Sequence, residues 1–130
     1  MGLNREMPAR NDGYQDIQYL RKNITFADNG VVLKVGTLPA GAVIAKAISG
    51  VNVSTVFNAG TTNVLDIGTA ADGDLFATDL ALGTAGFIPL DEAVSMDVAV
   101  DTEITATVAL SGTAATTGVG QVVIAYYLPN

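Results

Sequence analysis

Apolar and polar residues alternate along most of this chain with a period of two, the spacing that puts every second side chain on one face of a strand. The pattern is clearest from Val51 to Leu80. Val51, Val53, Thr55 and Phe57 share one face while Asn52, Ser54 and Val56 take the other, as a half-buried strand requires. Asn58-Ala59-Gly60-Thr61-Thr62 then supplies the Asn and Gly that a hairpin loop uses for left-handed backbone angles, and Asn63 to Ile67 follows as the returning strand. Gly68 to Asp74 turns the chain again.

The rest of the chain repeats this material. Between Asp16 and Phe26, the more apolar set Gln18, Leu20, Lys22, Ile24 and Phe26 alternates with Ile17, Tyr19, Arg21, Asn23 and Thr25. Asp28-Asn29-Gly30 predicts a turn into a second strand, Val31 to Val35, and the pair reads as a hairpin. Gly36 to Gly41 reads as a loop, since Pro39 cannot donate to a ladder. From Ala42 to Phe57 the chain is strand-like, with Gly50 as a bulge or bend in one long strand of the kind that crosses the corner of a sandwich. Leu75 to Leu82 fits either a strand or a short helix, and Gly83 to Leu90 reads as a loop anchored by Phe87 and Ile88. Glu92 to Val100 and Thr102 to Leu110 each show one dry and one wet face; Ser111 to Gly120 is a linker of small residues, and Gln121 to Leu128 is a final apolar strand. The expectation is all-β: an antiparallel sandwich or jelly roll of about eight strands, one domain over residues 16–130. Residues 1–15 lack an apolar period and predict an extended N-terminal arm.

Composition narrows the chemistry. At 130 residues and 13.3 kDa, folding should hide roughly two thirds of the surface the unfolded chain exposes. Val, Ala, Leu and Ile dominate the apolar residues, so the core must be built from many small side chains, which favour sheet. The chain contains no cysteine, which excludes disulfides and thiolate metal sites, and no histidine, which removes the usual general base. No stretch has the length of a membrane helix, and Met1 to Gly13 lacks the apolar core of a signal peptide, so the protein is expected to be soluble and unsecreted.

Net charge is -7, and it is uneven along the chain. All six bases (Arg5, Arg10, Arg21, Lys22, Lys34, Lys46) precede position 47 beside four acids, whereas the remainder holds nine acids and no base. An acidic chain without a concentrated basic face is not built for nucleic acid. The acids serve solubility; a sharper reading has the basic first third meeting an acidic partner.

Three constellations could carry a site. Asp72-Gly73-Asp74, with Asp66 and Asp79 near in sequence, could offer oxygen ligands to a hard cation, but it lacks the spacing of a calcium loop and reads better as an Asp-Gly turn. Asp91-Glu92 with Asp97, Asp101 and Glu103 could suggest glycoside cleavage, which would also need a cleft with aromatic platforms. Tyr126 and Tyr127 place successive rings on opposite faces of the last strand, one toward the core and the other toward a surface, an oligomer or a partner. There is neither a phosphate loop nor a dinucleotide fingerprint, and no cofactor is expected.

The run Gly36-Thr37-Leu38-Pro39-Ala40-Gly41-Ala42-Val43-Ile44, the run Phe57-Asn58-Ala59-Gly60-Thr61-Thr62-Asn63-Val64-Leu65-Asp66-Ile67-Gly68-Thr69, and Gly112 to Gly118 ahead of Val122-Val123-Ile124-Ala125-Tyr126-Tyr127 together resemble the head cement or decoration proteins of tailed bacteriophages, of the jelly-roll kind. The likeness covers about Gly36 to Tyr127 and rests on loop and strand signatures. It implies a non-enzymatic virion protein, assembled in the host cytoplasm, that forms a dimer or trimer. Such a protein clamps the phage major capsid protein on the outer surface of the head. Arg5, Arg10, Arg21 and Lys22 are the residues expected to face the capsid. Two rivals use the same sandwich: a tail, baseplate or fibre component, and a carbohydrate-binding module or hydrolase with a groove lined by Tyr or Phe and paired carboxylates.

Overall fold

In the computed structural model, which describes residues 16–129, the alternating segments become nine strands. They are β1 (Gln18–Thr25), β2 (Val32–Leu38), β3 (Val43–Ile44), β4 (Gly50–Thr55), β5 (Thr62–Thr69), β6 (Ala77–Ala81), β7 (Gly86–Pro89), β8 (Thr102–Ser111) and β9 (Val119–Tyr127). One sheet runs β1-β9-β4-β7, with β3 also on β9, and the other runs β2-β8-β5-β6; every strand pair is antiparallel. Apart from the β3–β4 and β5–β6 links, successive strands change sheet, and this order is that of a jelly roll with β3 as a short addition. The expected fold class is therefore the observed one.

Period-two alternation places the core between the sheets. Ile24 on β1, Val51 and Val53 on β4, Leu65 and Ile67 on β5, Ile104, Ala106 and Val108 on β8, and Val122, Ile124 and Tyr126 on β9 all point inward and are buried. Phe57 and Phe76, just outside strands, are the largest fully buried side chains. Gly118 lies flat on the Phe57 ring: a Cβ there would stand 2.5 Å from it, and the backbone φ of 151° favours glycine as well.

Both expected hairpins are corners instead. β1 pairs with β9 and β2 with β8, so Asp28-Asn29-Gly30 carries the chain from one sheet to the other. The turn is tied to the far sheet: Gly30 N–H donates to the Val108 carbonyl at 2.8 Å, and the Asn29 carboxamide accepts from Leu110 N–H at 2.8 Å. Asn58 to Thr61 does the same between β4 and β5, with the Asn58 carboxamide oxygen accepting from the Thr116 and Thr117 amides at 2.8 and 3.0 Å. Turn residues specify a reversal, and which sheet the next strand joins is decided by long-range burial.

The predicted long strand from Ala42 to Phe57 is also corrected. β3 and β4 line the same edge of β9 but are separated by a 3-10 turn at Lys46–Ile48, so the break stays within one sheet and crosses no corner. Gly83 to Leu90 contains strand β7, where Pro89 is tolerated because the strand is an edge; Phe87 is exposed and Ile88 packs on the core. Leu75 to Leu82 contains strand β6, and β2 extends through Gly36 to Leu38 with a bulge between Lys34 and Gly36. Glu92 to Val100 is not a strand. It is an extended segment held to β3 and its flank, with Gly41 N–H donating to Val98 O at 2.7 Å and Ile44 N–H to Met96 O at 2.7 Å. Its alternation is real, but its only ladder partner among the described residues is the two-residue β3.

The topology gives the molecule two unlike ends. The links 26–31, 56–61, 82–85 and 112–118 all lie at one, here the corner end. The links 39–42, 70–76 and 90–101 lie at the other, together with the outer ends of β1 and β9, where Gln18 pairs with Tyr126.

Candidate functional site

Among the four basic candidates, Arg5 and Arg10 lie outside the described residues. Arg21 and Lys22 are adjacent on β1, an edge strand, so they project from opposite faces of it, and both are exposed. The Arg21 guanidinium lies 5.3 Å from the centre of the Tyr19 ring, its same-face neighbour, within cation-π range. Among the described residues the ion pair found is Lys34 with Glu103 at 3.3 Å, and Lys46 donates to the Glu92 carbonyl at 2.7 Å. Arg21 and Lys22 are thus the described cations not committed to an acid or a carbonyl.

The two tyrosines divide as their alternation requires. Tyr126 is 8% exposed, joins the core, and donates its hydroxyl to Gln18 Oε1 at 3.2 Å. Tyr127 is half-buried opposite Val43, so it is the ring of the pair with a surface to offer.

Asp72-Gly73-Asp74 forms a turn that folds back against Gly68, where the Asp72 carbonyl and Gly73 occupy the space a Cβ would fill. Thr69 N–H donates to the Asp72 carbonyl at 2.8 Å, and the Asp72 carboxylate accepts from Asp74 N–H at 3.4 Å. A hydrogen bond between the Asp74 and Asp72 side chains, followed by slight burial and by repulsion from Asp72 and Asp66, pushes the Asp74 carboxyl above its ordinary range. The Asp66 carboxylate instead accepts from Asp79 N–H at 2.8 Å, holding Asp79 in its left-handed conformation with φ 55°. Among the described residues no three such side chains converge in a geometry that could hold a metal ion.

The other acids work singly as staples. Asp91 accepts from Thr78 N–H at 3.0 Å, Glu92 accepts from the Thr78 hydroxyl, Asp101 accepts from Ala40 N–H at 2.9 Å, and Asp97 accepts from Ser95. Asp91 and Glu92 thus both anchor on Thr78.

A groove of about 270 Å³ opens at the corner end, between the turn carrying Phe26 and Asn29 and the segment from Leu110 to Ala115, with Ala59 at its side. It holds a single aromatic ring and no carboxylate, unlike a sugar-cleaving cleft. Sequence reading missed it because Phe26, Ala59 and Leu110 come together only through the corner crossings. The readable trace was the lack of charge: Asp28 is the sole charged residue in the links 26–31, 56–61, 82–85 and 112–118. Its carboxylate is spent locally, accepting from Thr25 N–H at 2.8 Å. Asp72, Asp74, Asp91, Glu92, Asp97 and Asp101 all fall in the links at the opposite end.

No family model and no curated protein matches the chain. Among solved structures, the chain is similar to one in the cyanophage Pam1 capsid asymmetric unit, at 22% identity and TM-score 0.58, over 88% of this chain and 84% of that one. It is similar to one in the acidic stable capsid structure of Helicobacter pylori bacteriophage KHP30, at 17% identity and TM-score 0.63, over 88% and 89%. A third likeness is to one in the capsid of Ralstonia phage GP4, at 19% identity and TM-score 0.61, over 88% and 86%. At these identities the three share a fold with this chain, across nearly the full length of both partners.

Proposed function

We propose that this protein is a non-enzymatic structural component of a tailed-phage virion, and that it acts as a cement or decoration protein on the outer surface of the head. The observation that carries the reading is the jelly-roll strand order, matched over 88% of the chain by chains from three phage capsid structures. The chemistry of the chain supports it. Histidine and cysteine are absent from the sequence, and Asp91, Glu92 and Asp101 in the loops each accept a structural hydrogen bond. Among the described residues no helix is long and apolar enough to cross a membrane.

The partner in this reading is the phage major capsid protein. Arg21 and Lys22, exposed on an edge strand, are well placed to meet an acidic shell surface, with Arg5 and Arg10 from the preceding segment acting alongside. A repetitive lattice rewards many weak contacts, so each copy needs little individual affinity. Tyr127 offers a half-buried ring at the outer end of β9 to a neighbour.

The test is co-sedimentation of the full chain with empty shells assembled from its phage's own major capsid protein. Wild type is expected to pellet with the shells, and Arg21→Gln with Lys22→Gln to lower occupancy and flatten its dependence on salt. Wild type left wholly in the supernatant overturns the shell reading. Unchanged occupancy in the double variant removes the two cations from it.

A further inference from the structure

A sheet edge presents unpaired backbone groups, and proteins guard it with proline, bulges, kinks or shortness. Of the four strands that end the two sheets, three are guarded in this way. β7 has four residues and ends on Pro89; β6 has five, with Asp79 left-handed at φ 55° in its middle; and β2 carries the bulge between Lys34 and Gly36. β1 has none of these devices. It runs eight residues in unbroken register with β9, from Gln18 opposite Tyr126 to Thr25 opposite Val119. Phe26 N–H donates toward β9, to the Gly118 carbonyl at 3.1 Å, whereas Thr25 N–H turns away from it and is taken by the Asp28 carboxylate at 2.8 Å. Antiparallel alternation then points the N–H and C=O of Tyr19, Arg21 and Asn23 outward as well, with no partner among the described residues. We propose that β1 accepts an added strand there, an extended acidic segment of the shell protein. The proposal rests on the shell reading and names the mode and the chemistry of its contact.

The guard that β1 does carry is charge, and charge is selective. Arg21 and Lys22 stand mid-strand, exposed and uncommitted to an acid or a carbonyl among the described residues. Antiparallel pairing with a second β1 centred on them would set like charges against each other, which is destabilising. An acidic strand meets the reverse. Adjacent strand residues point to opposite faces, so two successive carboxylates would stand opposite Arg21 on the outer side and Lys22 on the core side. Tyr19, 48% exposed and 5.3 Å from the Arg21 guanidinium, offers its ring to an apolar residue two positions along. In such strand addition the backbone bonds supply attachment and the alternate side chains supply selection.

Co-sedimentation with the same empty shells separates this mode from attraction by charge alone. Asn23→Pro deletes one outward N–H and sets a ring in the path of the added strand, at an edge position where proline is tolerated and no charge changes. It should raise the half-saturating concentration at least about tenfold relative to Asn23→Ala, which loses the same carboxamide but keeps the N–H, and should leave the salt dependence of binding as it was. Hydrogen exchange on wild type covers the case in which the proline chain does not fold. The Tyr19, Arg21 and Asn23 amides should exchange fast in the free chain and become protected on shells. Wild type that ignores the shells overturns both readings. Asn23→Pro matching Asn23→Ala, or outward amides left unprotected on shells, overturns strand addition and leaves the shell reading standing. So does protection already complete in the free chain, the result if residues 1–15 filled the edge.

Discussion

Ser49 shows how one side chain can stand in for a missing piece of sheet. Where the turn Lys46–Ile48 lifts the chain off β9, the Ala125 N–H would lose its strand partner, and the fully buried Ser49 hydroxyl accepts it at 2.8 Å. The same hydroxyl donates to the Ala45 carbonyl at 2.8 Å, with the Ala125 carbonyl a second acceptor at 3.2 Å. Ser49→Ala would leave a buried N–H unsatisfied, and a cost of about 1–3 kcal/mol is expected in denaturant unfolding. Thr105 is the contrary case: it is buried between Lys34 and Gly68 in the ladder, yet its hydroxyl has no partner among the described residues. Neither role was legible in the sequence. A serine before a glycine reads as a surface position, and a threonine on the wet face of an alternating strand reads as exposed. Each sits against residues distant in sequence, Ala125 for Ser49 and Lys34 and Gly68 for Thr105, which a local pattern does not encode.

At the scale of elements, the acidic turn between β5 and β6 makes a pH-dependent contribution whose sign follows from Asp74. Its carboxyl is held above the ordinary value in the folded protein, chiefly by hydrogen bonding to the Asp72 side chain, so the folded state binds that proton more tightly than the unfolded chain does. The associated stability is present below the carboxylate range and is lost as pH rises through the raised value. Asp74→Asn should therefore raise Tm slightly at neutral pH, and the gain should disappear in acid; a lower Tm at neutral pH would refute this. The strands themselves were largely legible, because alternation of Val, Ile and Leu against polar residues survives in β1, β4, β5, β8 and β9. Partnership was not. The Asp28-Asn29-Gly30 and Asn58-Ala59-Gly60 turns look the same whether they close a hairpin or carry the chain across to the facing sheet. The segment from Glu92 to Val100 alternates like a strand while lying beside a two-residue neighbour. The loop acids suggested shared chemistry in sequence, and folding ties Asp91, Glu92, Asp97 and Asp101 to backbone or hydroxyl donors.

Across the whole molecule, a charge imbalance that runs along the sequence becomes a different imbalance in space. The sequence sets bases before position 47 against acids after it, but folding gathers loop acids at one end and leaves the other nearly neutral. The topology that creates these ends also makes the last strand the middle of its sheet: β9 pairs with β1 on one side and with β3 and β4 on the other. β1 therefore has no partner until β9 is made, so its sheet closes late against a facing sheet, β2-β8-β5-β6, that needs no part of β9. Refolding should be a single exponential on the millisecond-to-second scale set by such distant pairings, and a shortened product lacking β9 should be cleared by proteases instead of persisting as a smaller domain.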